Sequence, residues 1–316
     1  MTSRSTFKAI LLAASAVALF ATPAGFAEDA ASFTKFSTSA EASTVNVDYR
    51  PIQKFSTAFG PEERGRTKIS YAAVEQQGKA FMKTYMGYLA NVPVSNLTRN
   101  DQLAFWLNTR NMLIMEAMAD SRSRRRMKAA RGTPAEPGKM WAEKRITVEG
   151  TELSIQEIEK NIILANFADK PNVIFGLYQG SSGGPGFPKA GFSGANLDAE
   201  LEAAGRAFLE SRHGLKVRGS KAQIPAVVDW YATDVFGGDQ EAMRAQLVSL
   251  AGKKTGPKLA AATQFQARKF SYSSDELIIR QQSSAGASGS GRIGTCLLYT
   301  SPSPRDQRGS RMPSSA

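Results

Sequence analysis

Apolar residues recur at helical spacing in two long stretches of the first half of the chain. Val74, Phe81, Tyr85 and Leu89 predict a helix over residues 70–89. Thr98 with Asp101 has the spacing of a capping box, so a second helix is expected to begin there. The apolar positions of that helix predict one buried face, formed by Leu103, Trp106, Leu107, Leu113, Ile114 and Ala117.

Shorter patterns follow in the second half. Residues 145–148 and 151–153 flank Glu149 and Gly150 and predict a β-hairpin, and Ser154 with Glu157 predicts a capping box on a helix through residue 164. Residues 172–178 predict a buried strand before a glycine-rich loop, Gly180 to Gly194. The remaining patterns predict helices at 197–213, 225–231, 241–251 and 257–262, a hairpin at 215–217 with 223–224, and a strand at 265–272.

This order of elements predicts an α+β fold: one helix-rich domain over residues 46–279, around a small antiparallel or mixed sheet. Residues 1–27 resemble a secretory signal peptide, with Arg4 and Lys8 before an apolar stretch and small residues before a cut after Ala27. Residues 28–45 are expected to form a flexible lead-in. We therefore expect a periplasmic or secreted protein with no transmembrane segment after signal cleavage.

The C-terminal segments are interpreted differently from the domain. Residues 280–295 form a Gly/Ser-rich linker, and residues 296–316 have no helical or strand periodicity. The stretch from Cys296 to Asp306 resembles translated sequencing-adapter DNA, so we interpret residues 296–316 as a non-native tail.

Composition excludes several kinds of site. The chain has one Cys and one His, which excludes a disulfide scaffold, a thiolate cluster and a multi-histidine metal site, and no cofactor is expected. The net charge is +12, and one segment concentrates six basic residues: Arg122, Arg124, Arg125, Arg126, Lys128 and Arg131. We interpret this segment as a solvated loop that can meet an anionic envelope surface. Nucleic acid is not an expected partner, because no stacking or groove-reading motif is present.

Three segments resemble one family, the domain of unknown function 547 (DUF547). Asp101 to Leu113 resembles its A-F-W-I-N-x-Y-N-A-L helix, Gly150 to Glu159 its G-x-x-L-S-L-x-x-I-E segment, and Ile224 to Asp234 its I-F-D-W-Y-x-x-D-F segment. The resemblance implies a fold common in secreted bacterial proteins and implies no settled activity.

The chain departs from the family pattern at chemically important positions. The family's usual His and two Cys correspond to Ile174, Gln179 and Gly184, and the His that often follows its I-E pair corresponds to Lys160. The Tyr of its first motif corresponds to Arg110. If the family's chemistry used Cys and His, this member lacks both, so cysteine catalysis is not expected.

Several polar residues are candidates for a ligand-binding cleft: Asn108, Asn111, Glu159, Gly180, Ser182, Lys189 and Trp230. The two asparagines either line this cleft or hold the glycine-rich loop, and Trp230 is either a pocket wall or a core anchor. Ser182 lies in a G-x-S-x-G pattern, but Pro185 and Pro188 oppose the helix that a nucleophile elbow needs. The loop can instead form an anion-binding nest with Lys189.

These features lead to two functional hypotheses. The first is a ligand-binding or scaffold domain, whose partner is a small molecule or a component of the cell envelope. The alternative is a divergent hydrolase, in which the weak catalytic candidates are Ser182 or a carboxylate pair that includes Glu159. The packing of Asn108, Glu159 and Ser182 relative to one another distinguishes the two.

Overall fold

The computed structural model describes residues 33–60, 62–63, 66–120 and 125–277. Helices of the first half are α1 (Arg50–Phe59), α2 (Tyr71–Ala73), α3 (Lys79–Ala90), α4 (Arg99–Ala119), α5 (Met127–Arg131) and α6 (Lys139–Ala142). Those of the second half are α7 (Ile155–Glu157), α8 (Ala165–Phe167), α9 (Val173–Gly176), α10 (Leu197–Glu210), α11 (Ala226–Trp230), α12 (Ala232–Phe236), α13 (Gln240–Leu250) and α14 (Gly256–Ala260).

Within the described residues the strands form three small sheets. The strands are β1 (Glu62–Glu63), β2 (Arg66–Thr67), β3 (Lys144–Val148), β4 (Thr151–Ser154), β5 (Lys216–Arg218), β6 (Lys221–Ile224) and β7 (Gln264–Ala267). The pairs β1–β2, β3–β4 and β5–β6 are antiparallel, and β7 adds to β6 in parallel. The fold is therefore the predicted helix-rich α+β class, with a mixed sheet.

Some predicted segments lie outside the described residues. These are the signal peptide, the Gly/Ser-rich linker, the adapter-like tail, and Arg122 and Arg124. Within the described ranges, no helix combines the length and apolar character that crossing a membrane requires.

Helix α4 lies inside the core. Every residue from Gln102 to Ala119 except Glu116 is buried, so the prediction of a single buried face was wrong. A helix that is covered on all sides must bury its polar residues as well, and those residues need partners. The helix begins as predicted at Thr98, whose hydroxyl accepts the Asp101 N–H at 3.3 Å and donates to the Asp101 carboxylate at 2.6 Å.

The helical run predicted at 70–89 is confirmed over residues 71–90. Helices α2 and α3 are joined by one π-helical turn, Val74–Gly78. A second π-helical turn, Ile158–Leu164, joins α7 to α8. An extra residue in a helical turn rotates the side chains that follow it, and such turns are frequent at functional sites.

The hairpin and the second capping box are confirmed. Glu149 and Gly150 have φ values of 46° and 78° between β3 and β4, as a two-residue type I′ turn requires. The Ser154 hydroxyl accepts the Glu157 N–H at 3.1 Å, and the Glu157 carboxylate accepts the Ser154 N–H at 2.8 Å. This local hydrogen bonding explains why the sequence was sufficient to predict both features.

The strand predicted at residues 172–178 was wrong. Residues Val173–Gly176 form the short helix α9. An apolar run of this length does not distinguish a buried strand from a buried helix. In the structure the Asn111 amide accepts the Tyr178 N–H at 3.1 Å and donates to the Gly176 carbonyl at 2.9 Å, so a side chain supplies the bonds that a neighbouring strand would have supplied.

The segment predicted as a flexible lead-in contributes to the core. Phe33 and Phe36 are buried, and the Phe36 ring meets the Trp106 ring edge-on at 4.9 Å. Core packing therefore begins before residue 46. Two isolated aromatic residues among Ser, Thr and Ala give no periodicity, so only the tertiary contact reveals them.

The last predicted strand is shorter than expected and is followed by a second pairing. Strand β7 ends at Ala267, and residues beyond it pair with the glycine-rich loop. The Ser182 N–H donates to the Ser273 carbonyl at 2.8 Å, and the Gly183 N–H donates to the Ser271 carbonyl at 3.1 Å. The C-terminal segment, residues 268–277, is thus bound to the start of the loop.

We expect Gly183→Ala to destabilise the protein, because an added Cβ would lie 2.6 Å from the backbone N and O of Ser271. Such overpacking costs about 1–3 kcal/mol. Gly87→Ala is the matched control, since Gly87 lies in α3 and an added Cβ there would have no atom within 4 Å. Alanine at this position should stabilise the folded protein by about 0.5–1 kcal/mol. Chemical denaturation of both variants measures the difference. Equal midpoints would contradict the close approach of loop and C-terminal segment.

Candidate functional site

A buried carboxylate, Glu159, lies at the centre of the helical core. It belongs to the π-helical turn Ile158–Leu164 and is 1% exposed. Arg110 of α4 binds its Oε2 through Nε at 3.0 Å and also through Nη2. The Tyr231 hydroxyl donates to Oε1 at 2.6 Å, and the Trp141 indole N–H lies 3.5 Å from Oε2. Both carboxylate oxygens are therefore occupied by protein donors.

The surroundings of Glu159 keep it ionised. Burial alone raises the pKa of this carboxyl, but the charges of Arg110 and Arg131 and the hydrogen bond from Tyr231 outweigh burial, so its pKa lies below the ordinary value. Burial beside Glu159 raises the pKa of the Tyr231 phenol. A carboxylate with a lowered pKa and with both oxygens bound by protein donors is poorly suited to act as a general acid or base.

Arg110 connects this ion pair to the neighbouring segment. Its side chain is fully buried, and its Nη1 donates to the Tyr178 carbonyl at 2.8 Å and to the Asn111 amide oxygen at 3.2 Å. The DUF547-type motif has Tyr at this position, so the resemblance alone did not indicate an ion pair. The nearby Glu159 was a candidate, but sequence did not place the two residues together.

Arg131 is a second buried arginine and does not belong to the solvated basic loop. It is 1% exposed and lies at the end of helix α5, where a solvated loop was predicted. Its guanidinium lies 4.7 Å from the ring centre of Trp230, 4.9 Å from that of Trp141 and 5.2 Å from that of Phe270. Three aromatic faces around one cation replace part of its hydration by cation–π attraction.

The hydrogen bonds of Arg131 go to neutral acceptors. Its Nε donates to the Gln179 side-chain oxygen at 2.9 Å, as does Nη2, and Nη1 donates to the Gly132 carbonyl at 2.9 Å. Burial lowers the pKa of Arg131, though a guanidinium remains charged. Gln179 also donates to the Leu177 carbonyl at 2.9 Å.

Gln179 and Gly184 stand where the family usually has its two Cys, and they are in contact. A Cβ added at Gly184 would lie 2.2 Å from Cγ of Gln179. The large side chain at one position therefore occupies the space left by the absent side chain at the other. Ile174, at the family's His position, is fully buried. These positions now serve packing and the binding of Arg131.

The two candidate asparagines are buried and hold backbone. Asn108 donates to the Phe192 carbonyl at 2.8 Å and accepts the Phe192 N–H at 2.8 Å, which fixes the end of the glycine-rich loop on α4. Asn111 forms the equivalent pair of bonds with Gly176 and Tyr178. Both residues are 1% exposed. Of the two readings left open by the sequence, these contacts match the structural one.

The remaining candidate residues for the ligand-binding cleft differ in solvent exposure. Gly180 has a φ of 65°, a conformation that favours glycine, and the Ser182 hydroxyl lies 3.0 Å from the Ser271 hydroxyl. The proposed elbow has no following helix, since residues 182–193 are irregular. Lys189 is exposed, and its carbonyl accepts a hydrogen bond from Ser56. Trp230 packs on Arg131 and on Phe270, whose ring centre is 4.5 Å away.

The carboxylates that could form the catalytic pair of the hydrolase hypothesis have separate roles. Glu157 caps α7 and pairs with Lys144, whereas Asp229 and Asp234 are exposed on α11 and α12. Glu159 is buried and bound by Arg110 and Tyr231. Among the described residues, no group of three or more His, Cys, Asp and Glu is arranged to hold a metal ion.

Sequence reasoning missed a second buried carboxylate, Asp275. Its Oδ1 accepts hydrogen bonds from the hydroxyls of Tyr71 and Tyr178, each at 2.9 Å, and those hydroxyls lie 2.5 Å apart. Burial raises the pKa of the Tyr71 phenol. The three residues are far apart in sequence and have no shared motif. Together they fix the C-terminal segment to α2 and to the core.

The described surface has a groove beside this anchored segment. It has a volume of about 770 Å³ and lies between the start of α5 and the C-terminal segment. One wall consists of Arg125, Arg126, Met127, Lys128 and Ala129, and the other of Tyr272, Ser273, Ser274 and Glu276. The groove thus combines part of the predicted basic segment with hydroxyl groups that the sequence did not associate with it.

We expect Glu159→Gln to destabilise the protein by about 3–5 kcal/mol, because it leaves the buried charge of Arg110 without a partner. Glu202→Gln is the control: Glu202 pairs with Arg206 on the exposed face of α10, and losing that pair costs about 0.3–0.5 kcal/mol. Denaturant unfolding measures both. A loss below about 1 kcal/mol for Glu159→Gln would contradict the role assigned to the ion pair.

The same variant has a predicted pH dependence. Because the folded-state pKa of Glu159 is lowered, its stabilising contribution is present above the unfolded value of about 4.3 and is lost as pH falls through the folded value. The native protein should therefore lose stability below about pH 4.3 more steeply than Glu159→Gln. Parallel acid-unfolding curves would be inconsistent with an ionised Glu159.

Comparison with known proteins identifies one family. The family model described as protein of unknown function, DUF547, matches residues 94–209, from just before α4 to the end of α10. The match includes Arg110, Arg131 and Glu159, but Tyr231 and Asp275 lie beyond it. Neither the curated proteins nor the solved structures include a match. Through residues 94–209, the chain is similar to the DUF547 family.

Proposed function

We propose that this protein is a ligand-binding domain that holds a small, multiply anionic ligand in the groove between α5 and the C-terminal segment. The observation behind the proposal is that Arg125, Arg126 and Lys128 line one wall of that groove, opposite three hydroxyl-bearing residues. Cations that share one concave surface favour a ligand with more than one negative charge.

The charge balance of the groove supports an anionic ligand. Arg125, Arg126 and Lys128 are exposed, and none of them forms an ion pair with a described residue. Glu276 is the single carboxylate among the lining residues. An excess of positive charge therefore remains available to a ligand.

The opposite wall offers groups that suit hydroxyls or phosphate oxygens. Tyr272, Ser273 and Ser274 each have a hydroxyl. The Tyr272 hydroxyl also donates to the Gly132 carbonyl at 3.4 Å. Hydroxyls both donate and accept hydrogen bonds, so they can orient a polar ligand that the cations attract. The volume, about 770 Å³, is within the range of small-molecule sites.

The buried residues hold this groove in shape. Arg131 lies at the end of α5, so its aromatic cage fixes the helix that bears Lys128 and directly follows Arg125 and Arg126. Asp275 fixes the other wall through Tyr71 and Tyr178. A concave site with both walls anchored requires little ordering when a ligand binds.

The hydrolase alternative has less support. A nucleophile elbow needs a helix directly after the serine, and residues 182–193 are irregular. Glu159 is committed to Arg110 and Tyr231. We infer an extracytoplasmic location from the signal-like residues 1–27, where anionic envelope components are the available partners.

Titration calorimetry with glucose 1,6-bisphosphate, and with glucose as the neutral comparison, tests the proposal. The triple variant Arg125→Gln, Arg126→Gln, Lys128→Gln should bind the bisphosphate at least about 100-fold more weakly, because losing even two charge-assisted hydrogen bonds of about 1.5 kcal/mol each is sufficient for that change. The control replaces three exposed lysines outside the groove, Lys253, Lys254 and Lys258, and should bind normally.

Two results would overturn this function. One is equal binding of the bisphosphate by the native protein and the groove variant. The other is salt-sensitive sedimentation with phosphatidylglycerol vesicles without any binding of the soluble bisphosphate, which would indicate attachment to an anionic surface.

A further inference from the structure

The mixed sheet bears a second basic surface, which the groove does not include. Strands β5, β6 and β7 lie side by side, and a shallow cavity of about 380 Å³ lies against them. Its lining includes Lys216, Arg218 and Lys221. These residues do not form a continuous basic run, because they are spread over the two strands of a hairpin.

The strand register places six polar residues on one face. Arg218 pairs with Lys221, and Lys221 pairs with Gln264. In the next row, Lys216 pairs with Gln223, and Gln223 pairs with Gln266. All six residues are exposed, since they alternate with residues of the other face. We name this surface the sheet face: Lys216, Arg218, Lys221, Gln223, Gln264 and Gln266.

The other face of the same strands is turned to the core. Ala222 and Ile224 of β6 are buried, and Val217 and Phe265 pack partly against the core. The alternation holds along β5 and β6 and over the first three residues of β7, which fixes which of these side chains meet the solvent; Ala267 at the end of β7 is exposed. The arrangement of the sheet face follows from the backbone register and does not depend on side-chain rotamers.

The charges on the sheet face are costly to the isolated fold. Arg218 and Lys221 are directly opposite each other, and like charges in this relation destabilise a sheet. They flank a two-residue turn at Gly219, whose φ is 58°. Among the described residues, no carboxylate pairs with Lys216, Arg218 or Lys221. A bound anion would relieve this repulsion.

The chemistry of the sheet face differs from one side to the other. The cations lie on β5 and at the start of β6, whereas the amides of Gln223, Gln264 and Gln266 lie on β6 and β7. Carboxamides both donate and accept hydrogen bonds, so they suit a ligand that has hydroxyl groups as well as negative charge. Three strands span about 10 Å, so a linear chain can contact both halves.

We propose that the sheet face binds a segment of an acidic polysaccharide, a chain that combines carboxylate groups with hydroxyl groups. A nucleic acid would call for exposed aromatic rings on which bases stack, and the six residues of the sheet face are all basic or amide. A membrane would call for apolar side chains that enter the bilayer, which these residues also lack. The proposal is independent of the groove, because the two sites share no lining residue.

Affinity for oligogalacturonate, measured by calorimetry with neutral dextran as the comparison, tests this site. Replacing Lys216, Arg218 and Lys221 together with Gln should weaken oligogalacturonate binding at least about tenfold, and raising the salt should weaken the native affinity. The variant should remain folded, since the replaced side chains are exposed and like-charged; an unchanged or higher melting temperature checks this.

Two controls separate this site from the groove and from charge alone. The groove variant at Arg125, Arg126 and Lys128 should keep its oligogalacturonate affinity, whichever way the bisphosphate test ends. The double variant Gln223→Ala, Gln264→Ala should bind oligogalacturonate more weakly but bind inorganic polyphosphate, which has no hydroxyl-bearing sugars, as the native protein does.

Three results would overturn the proposal. The first is unchanged oligogalacturonate affinity in the sheet-face triple variant. The second is an equal loss for polyphosphate and oligogalacturonate in the glutamine variant, which would remove the role of the amides. The third is tighter binding of oligothymidylate or of phosphatidylglycerol vesicles than of oligogalacturonate at the same ionic strength, which would assign the surface to another class of partner.

Discussion

The buried ion pair between Arg110 and Glu159 is the interaction on which the rest of the structure depends. Placing two charges in a core is costly, and removing one partner is more costly still. Helix α4 can therefore occupy the centre of the fold only while the π-helical turn at residues 158–164 presents Glu159 to it. Tyr231 and Trp141 complete the shell, so four separated segments are tied to one carboxylate.

The polar core also includes buried amide side chains that hold the backbone or Arg131. Asn108, Asn111 and Gln179 are bound to backbone or to Arg131, and each satisfies a group that would otherwise be buried without a partner. Ile174, Gln179 and Gly184, which correspond to the family's usual His and two Cys, also lie in the packed interior. In this chain they contribute packing and hydrogen bonds.

The surface sites differ from the core in one physical respect. Cations of the core are matched by Glu159, by aromatic rings or by carbonyl groups, whereas the basic residues of the groove and of the sheet face have no described carboxylate in an ion pair with them. Exposed, unmatched charge attracts ligands over several ångströms and adds little to stability. Both proposals rest on this contrast, and each uses a different part of the fold.

Local interactions made much of the fold predictable from sequence. The hairpin at Glu149 and Gly150, the cap at Ser154 and the start of α4 at Thr98 depend on residues within four positions of one another. Helical periodicity was sufficient for residues 71–90 for the same reason. The three DUF547-like motifs further indicated the fold class, though the family match itself covers residues 94–209.

Long-range contacts decided the rest. The apolar run predicted a buried segment, and residues 173–178 are buried, but only the tertiary structure shows that Val173–Gly176 are helical, with Asn111 bonded to the backbone of Gly176 and Tyr178. Sequence identified Arg131 as basic, but the structure places it in the core among the rings of Trp141, Trp230 and Phe270. No local sequence pattern indicated that the hydroxyls of Tyr71 and Tyr178 donate to Asp275. Short-range hydrogen bonding and periodicity could therefore be predicted from the sequence. Tertiary packing decided which charged side chains are buried and which are exposed, because burial depends on neighbours that are far apart along the chain.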